Sequence, residues 1–334
     1  MTEDMGSIIE DQFSRLLRQG VDRAAIQGAE EAAMPVGLWE ELAQSGMSLA
    51  LVSEAQDGIG LDPVAAFRLV SMAAYHAAPL PLAETMVAAG LLDRALDGPA
   101  TITSHSEGRA ARVPHGADAA QVLCAQGPDW ALVPAQAVSA QRGYNLAGEP
   151  RDDIRLAMAE GDPCTRPDWL GDGGLDAVGA LIRAAQMRGA MQRAVEMSLA
   201  HARDREQFGR PIAKFQAVQH MLADAAGQLA GAGALVDNAA ESWGTPDFEF
   251  RAALAKSRAG TAAGKVAEVA HQVHAAMGFT QDHDLNFYTR RLWSWRDEFG
   301  SEIRWQEWIG REICAQGGAA LWPALVAMTR GAQA

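Results

Sequence analysis

Arg203-Asp-Arg-Glu-Gln-Phe-Gly-Arg-Pro-Ile-Ala-Lys-Phe-Gln-Ala-Val-Gln-His-Met-Leu-Ala-Asp224 decides how the rest of the chain is read. Its first half is charged and ends at Phe208-Gly209, and a glycine just past a last turn is a helix stop. Pro211 suits the first turn of a following helix, where proline's missing N–H is not needed. That second helix carries Phe215, Val218, Leu222, Ala225, Leu229, Ala232 and Val236 at steps of three and four, one apolar stripe. The stretch predicts a helix–tight turn–helix corner. Arg205 and Gln207 stand at the end of the first helix, and Phe208 sits in the turn.

Outward from this corner, the C-terminal side reads as helix throughout. One long helix runs over 175–205 and a second over 213–243. Thr245-Pro246 breaks the chain, and a third helix covers 248–276. A loop at 278–284 separates it from helices at 285–296 and 302–325. Upstream, the helical period fades over 99–165. Short β-prone pieces at 100–103, 119–124 and 130–133, divided by Gly and Pro, predict a small, mostly antiparallel sheet. Residues 1–98 return to helix: a segment with Ile8, Phe13, Leu16 and Leu17, a second over Val36 to Ala43, and a third opened by Asp62-Pro63 and running through Tyr75. Pro79 to Thr85 leads into one more. The expected class is mainly α with a small β domain.

Composition limits the function classes. The 334 residues carry a net charge of −14 and only 6% aromatic residues. No basic run could neutralise phosphates, so nucleic acid is not an expected partner. No apolar run reaches the roughly 18–20 residues of a membrane span, and the acidic N-terminus lacks the apolar region of a signal peptide. Cys124, Cys164 and Cys314 are far apart in an odd count, which fits a reducing compartment. The expectation is a cytoplasmic protein. No metal site is expected, because His274 and His283 have no third ligand at metal spacing.

The corner resembles a known signature. Arg205-x-x-Phe208-Gly209-x-Pro211-Ile212-x-x-Phe215-Gln216-x-x-Gln219-x-x-Leu222-Ala223-Asp224 is similar to that of the acyl-CoA dehydrogenase family. Leu38-Trp39-x-x-Leu42-Ala43, Glu54-x-x-x-Gly58-x-Gly60-Leu61 and Gln272-x-x-Ala275-Ala276-x-Gly278 resemble further family runs, the last with two alanines for glycines. The resemblance implies a helical N-terminal domain over 1–98, an abridged β middle domain over 99–168 and a C-terminal helical bundle over 169–334. It implies FAD-dependent α,β-desaturation of an acyl-CoA, with electron-transfer flavoprotein as acceptor. The implied cofactor-binding residues are Arg205, Gln207, Phe208, Phe215, Gln272, Ala275 and Ala276. In the family, the positions of Arg205, Phe208 and Gln272 reach across a dimer to the FAD held by the neighbouring subunit.

The chain departs from the family at two points. The family's flavin-contacting strand has a Trp followed by Ser or Thr; the nearest stretch here, Trp130-Ala-Leu132, does not match. The family's catalytic base is a Glu that takes the α proton. Its C-terminal position falls on Phe299, one residue after Glu298. Its alternative, on the helix before Arg-x-x-Phe-Gly, falls on Gly179 or Ala180, with Asp176 a turn earlier. Glu298 and Glu302 remain as candidates for the base, set against the alternative of surface or cap residues. Trp293, Trp295, Trp305 and Trp308 cluster in one segment and read as core or subunit interface. Two readings follow: a working dehydrogenase, and a catalytically silent subunit completing the FAD site of a full-length paralogue in a hetero-oligomer. A bulky polycyclic acyl group is the substrate expectation, by resemblance to shortened bacterial members.

Overall fold

The computed structural model describes residues 2–31, 34–171, 174–323 and 326. The N-terminal part holds α1 (Thr2–Gly20), α2 (Arg23–Glu31), α3 (Val36–Gln44), α4 (Pro63–Tyr75) and α5 (Leu82–Leu92). Helix α4 begins as its sequence predicts: the Asp62 side chain accepts from Ala65 N at 3.0 Å, and Pro63 takes the first turn. Helix α5 is buried on nearly every side, which its run of apolar residues requires. Helix α2 was not anticipated, because its short Ala- and Glu-rich run carries only Ile26 and Ala29 to the core.

Seven strands follow, in two sheets. In one, β1 (Ala100–Ser104) pairs in parallel with β3 (Gln121–Gln126), which pairs antiparallel with β4 (Asp129–Pro134), and β4 with β7 (Asp162–Cys164). In the other, β6 (Arg151–Leu156) lies between β2 (Arg109–Pro114) and β5 (Val138–Gln141), antiparallel to both. Val113, Val122, Cys124, Val133, Ile154 and Leu156 form a separate small core there. The β-prone pieces read from sequence are β1, β3 and β4. The four strands missed are charged or very short, and alternation alone does not reveal them.

Helix α6 (Gly174–Asp204) is the axis of the C-terminal part; α4, α7 (Gln216–Glu241), α8 (Phe248–His274) and α9 (Leu285–Asp297) all pack on it. Close approach depends on Gly189, where an added Cβ would stand 1.8 Å from the Ser71 carbonyl oxygen of α4. Helix α10 (Glu302–Gln316) packs on α8 and ends at Gly317, φ 84°. The expected end at residue 325 lies outside the described residues. The corner between α9 and α10 is pinned from below by Lys256 of α8. Its Nζ donates to the carbonyls of Arg296 at 2.6 Å and Gly300 at 2.7 Å, and burial lowers its pKa to about 7.

The corner that organised the sequence reading differs in one respect. Pro211 does not open a helix. Glu206–Gln207 (β8) and Arg210–Pro211 (β9) pair as a small antiparallel hairpin, and Ile212 N donates to the Arg205 carbonyl at 2.8 Å to close it. Phe208 and Gly209 both have positive φ, 52° and 75°, the geometry of a two-residue hairpin turn. A short 3-10 turn over Ile212–Lys214 intervenes before α7 begins at Gln216. The apolar stripe of α7 is as expected, with Leu222, Ala225, Ala232 and Val236 buried.

Candidate functional site: an exposed hairpin and groove, and a buried ion network

The residues implied to touch a flavin stand in the open at one end of the bundle. Arg205 and Gln207 are exposed and Phe208 is 92% exposed. A bulky residue at positive φ is uncommon, and this conformation points the hairpin tip away from the helices. Phe215, half-buried, backs the tip: its ring meets Phe208 edge-on at 6.1 Å and carries the Arg210 guanidinium at 4.2 Å. Gln272, Ala275 and Ala276, at the end of α8, are exposed and line an open groove of about 1050 Å³ with Lys265, Phe279 and Trp293. Ala275 has φ 51° and ψ −139°, a backbone region that glycine occupies and other residues avoid. Ala275 thus adopts a glycine conformation at a position where the run it resembles has glycine.

Histidines join the two stretches. His201, on the last turns of α6, stacks on His274 of α8 with ring centroids 4.5 Å apart, and His274 meets His283 at 4.9 Å. Burial lowers the His274 pKa to about 4, so its ring is neutral at pH 7 and packs without charge repulsion. Among the described residues no group of three or more His, Cys, Asp or Glu could hold a metal ion.

Phe299 and Gly179, which the resemblance sets among its positions for a base, meet in space. Phe299 covers Gly179: a Cβ there would stand 2.2 Å from the Phe299 ring. Phe299 has φ 51° and its carbonyl accepts from Trp305 Nε1 at 2.9 Å. Neither position is titratable.

Glu298 takes the C-cap position of α9 and is not a surface residue: it is 8% exposed and lies inside an ion network. Arg183 Nε donates to its Oε2 at 2.6 Å, Arg151 Nε to its Oε1 at 2.8 Å and Asn145 Nδ2 to Oε1 at 3.0 Å. Arg183 Nη1 also donates to Glu84 Oε1 at 2.8 Å. Glu149 accepts from Arg151, Arg291, Asn145 and Trp295, and Glu30 from Arg290 and Arg291. Burial would push the Glu298 carboxyl up, but the Arg151 and Arg183 guanidiniums override it and hold it at about 2. Arg183 also lies over the Phe299 ring at 5.3 Å, so the network and the Phe299–Gly179 contact are one packed unit. Glu302, by contrast, is a first-turn residue of α10 accepting from Arg296 Nε at 2.6 Å. Asp176 is held by Arg304 and Ser104.

The sequence reading missed this network. Its signal was single charges inside apolar helical runs: Glu84 within Leu82-Ala-Glu-Thr-Met-Val87, and Arg183 within Ala180-Leu-Ile-Arg-Ala-Ala185. Charges so placed are almost never fully buried unless paired. Of the tryptophans, Trp295 and Trp305 are buried, Trp308 is half-buried and Trp293 is 43% exposed beside the groove.

Residues 177–301 match the description "Acyl-CoA dehydrogenase, C-terminal domain". The chain has the acyl-CoA dehydrogenase fold and carries that family's C-terminal domain. It is similar to acyl-CoA dehydrogenase IpdE2 of Mycolicibacterium smegmatis, 34% identical over 148 residues, 44% of this chain and 46% of that protein. It is also similar to 3-sulfinopropanoyl-CoA desulfinase of Paraburkholderia xenovorans, 46% identical over 102 residues, 30% of this chain and 26% of that protein. The chain thus spans less than half the length of these curated relatives. A variant of the Tcur3481–Tcur3483 steroid ACAD superposes with a TM-score of 0.83 at 23% identity, over 96% of this chain and 100% of that one. The ChsE4–ChsE5 complex from Mycobacterium tuberculosis gives 0.77 at 21%, over 94% and 97%. The mainly α architecture with a small β region is therefore that of the acyl-CoA dehydrogenase fold. No helix among the described residues is long and apolar enough to cross a membrane.

Proposed function

We propose that this chain is one subunit of a hetero-oligomeric, flavin-dependent acyl-CoA dehydrogenase, and that it completes the FAD site of a full-length paralogue. The observation that carries this reading is an asymmetry within one chain. The surface that would serve a neighbour's cofactor is exposed, with Phe208 held out on its hairpin and Ala275 in a glycine conformation. Where the chain's own base would stand, Phe299 packs on Gly179 and Glu298 is tied into an ion network.

Arg205 suits the pyrophosphate through charge-assisted hydrogen bonds, and Phe208 offers an aromatic face. Gln272, Ala275 and Ala276 offer a close backbone approach, and Gln207 and Phe215 support the hairpin. When bound, the flavin supplies the hydride acceptor for desaturation. This chain's residues bind and orient it, and the partner supplies the carboxylate that takes the α proton. Glu298 is a poor base here, because two guanidiniums stabilise its ionised form. The acyl group is proposed to be bulky and polycyclic, in keeping with the steroid named for one fold neighbour. The proposed electron acceptor is an electron-transfer flavoprotein, and the proposed location is the cytoplasm.

The test is to purify the chain alone and together with a paralogue from a neighbouring gene. Flavin absorbance and turnover of an acyl-CoA panel with an acceptor dye are then recorded for each. The expected result is a colourless, inactive chain and a yellow, active pair. A yellow homodimer that turns over acyl-CoA and loses that activity in Glu298→Gln would overturn the reading. Turnover of short linear acyl-CoAs alone would overturn the polycyclic assignment and leave the subunit role standing.

A further inference from the structure

Beside the ion network lies one small cavity, and its chemistry is unusual. Arg183, Arg291 and His115 all line a cavity of about 30 Å³. Each brings one buried nitrogen without a hydrogen-bond partner: Arg183 Nη2, Arg291 Nη2 and His115 Nδ1. The three residues are 1%, 1% and 8% exposed. In both arginines the other nitrogens are engaged. Arg183 uses Nε for Glu298 and Nη1 for Glu84 and Gln186. Arg291 uses Nε for Glu149 and Nη1 for Glu30 and the Phe287 carbonyl. Buried donors are rarely left unsatisfied, and here two of the same kind belong to side chains that line one cavity.

The donor set restricts the occupant. A guanidinium donates and cannot accept, so whatever sits here must bring acceptor atoms. Val70, Ala74 and Leu80 contribute apolar lining. One water needs about 10–15 Å³ of such space, so the cavity admits an object of one to a few heavy atoms. Around it, the carboxylates of Glu30, Glu84, Glu149 and Glu298 are each already paired with a guanidinium. The ionic pairing is therefore complete without using either Nη2.

We propose that this cavity binds one small monovalent anion, of halide or short-carboxylate size, through Arg183 Nη2 and Arg291 Nη2. Such an anion satisfies both donors at once, and a methyl group on a carboxylate would rest against the apolar wall. The site would stabilise the fold around this network. It stands on the buried nitrogens and not on the identity of any partner or substrate.

The test uses the protein as purified, with its partner if it has one. Thermal midpoints are compared in sodium chloride, sodium acetate and sodium gluconate at equal ionic strength, gluconate being too large for the cavity. Chloride, acetate or both should raise the midpoint by about 2 °C over gluconate, since a ligand bound only by the native state stabilises it. Which salt acts identifies halide or carboxylate. The difference should vanish in Ala74→Val, which fills the cavity from its apolar wall and leaves the network untouched. Should that variant not fold, crystals soaked in sodium bromide give the answer: an anomalous peak within hydrogen-bond reach of both Nη2 atoms is the expected result. Equal midpoints in all three salts, a shift that persists in Ala74→Val, or water alone at the site would each overturn the proposal.

Discussion

Glu298 and Ala275 show how much a single position can carry. Glu298 neutralises two buried guanidiniums, and removing one partner of a buried pair leaves the other uncompensated. Glu298→Gln should therefore lower stability by about 3–5 kcal/mol, measured by denaturant melts at pH 7. The pH dependence has a definite sign. A carboxyl held at about 2, below its ordinary value of 4.5, contributes fully above pH 4.5 and loses its contribution as pH falls toward 2. The gap between wild type and variant should close over that window; a gap unchanged at pH 3 would show that the pairing is not what the mutation removes. Ala275 has the opposite expectation. Its φ of 51° with ψ −139° is strained for a residue with a Cβ, so Ala275→Gly should stabilise by about 1 kcal/mol, read as a raised unfolding midpoint. These residues also mark the limit of sequence reading. The glycine-to-alanine exchange was visible in the sequence, but its retained backbone conformation was not. Counting along the sequence places Phe299 on one position the resemblance implies for a base, yet only the fold shows that it lies against Gly179, one of the two candidates for the other.

At the scale of elements, helices were legible and connections were not. The stripe on α7 and the extents of α4, α6 and α9 follow from period and caps, which are local properties. Pro211 was misplaced because a proline that opens a helix and a proline on the outer arm of a hairpin look alike in sequence. The positive φ of Phe208 decides between them, and that torsion is a consequence of hairpin pairing. The buried network belongs to no single element: its carboxylates and guanidiniums come from α2, α5, α6, α9, β6 and two loops, so no spacing announces it. Two predictions belong here. Gly189→Ala sets a Cβ 1.8 Å from the Ser71 carbonyl oxygen, and that atom is backbone, which cannot swing aside. The variant should force α4 and α6 apart and destabilise by about 1–3 kcal/mol or more; a melt indistinguishable from wild type would mean that the helices yield freely. Arg205→Ala should leave the fold intact, since Arg205 is exposed, and weaken flavin retention by the assembly. Retention equal to wild type, followed by flavin absorbance through dialysis, would remove Arg205 from the proposed cofactor set.

The whole molecule is the scale at which the two departures become one argument. On the proposed reading, a symmetric dimer of such subunits would build two flavin sites, each from one chain's pocket and its neighbour's hairpin. In this chain the half that would hold the base carries Phe299 packed on Gly179 and a network of eight charged residues, while the hairpin half is exposed. Reopening the pocket would mean moving Arg151, Arg183 and Arg291 away from their carboxylates, and each buried charge so released costs several kcal/mol. No small loop shift supplies that. Paired with a full-length paralogue, the chain should complete the partner's pocket and offer none of its own, so the flavin count should be one per pair of unlike chains and not two. The measurement is flavin absorbance after denaturation, set against the molar amount of each chain. A count of two per pair would mean that the filled pocket opens on assembly, and the hairpin surface would then no longer be the chain's sole contribution.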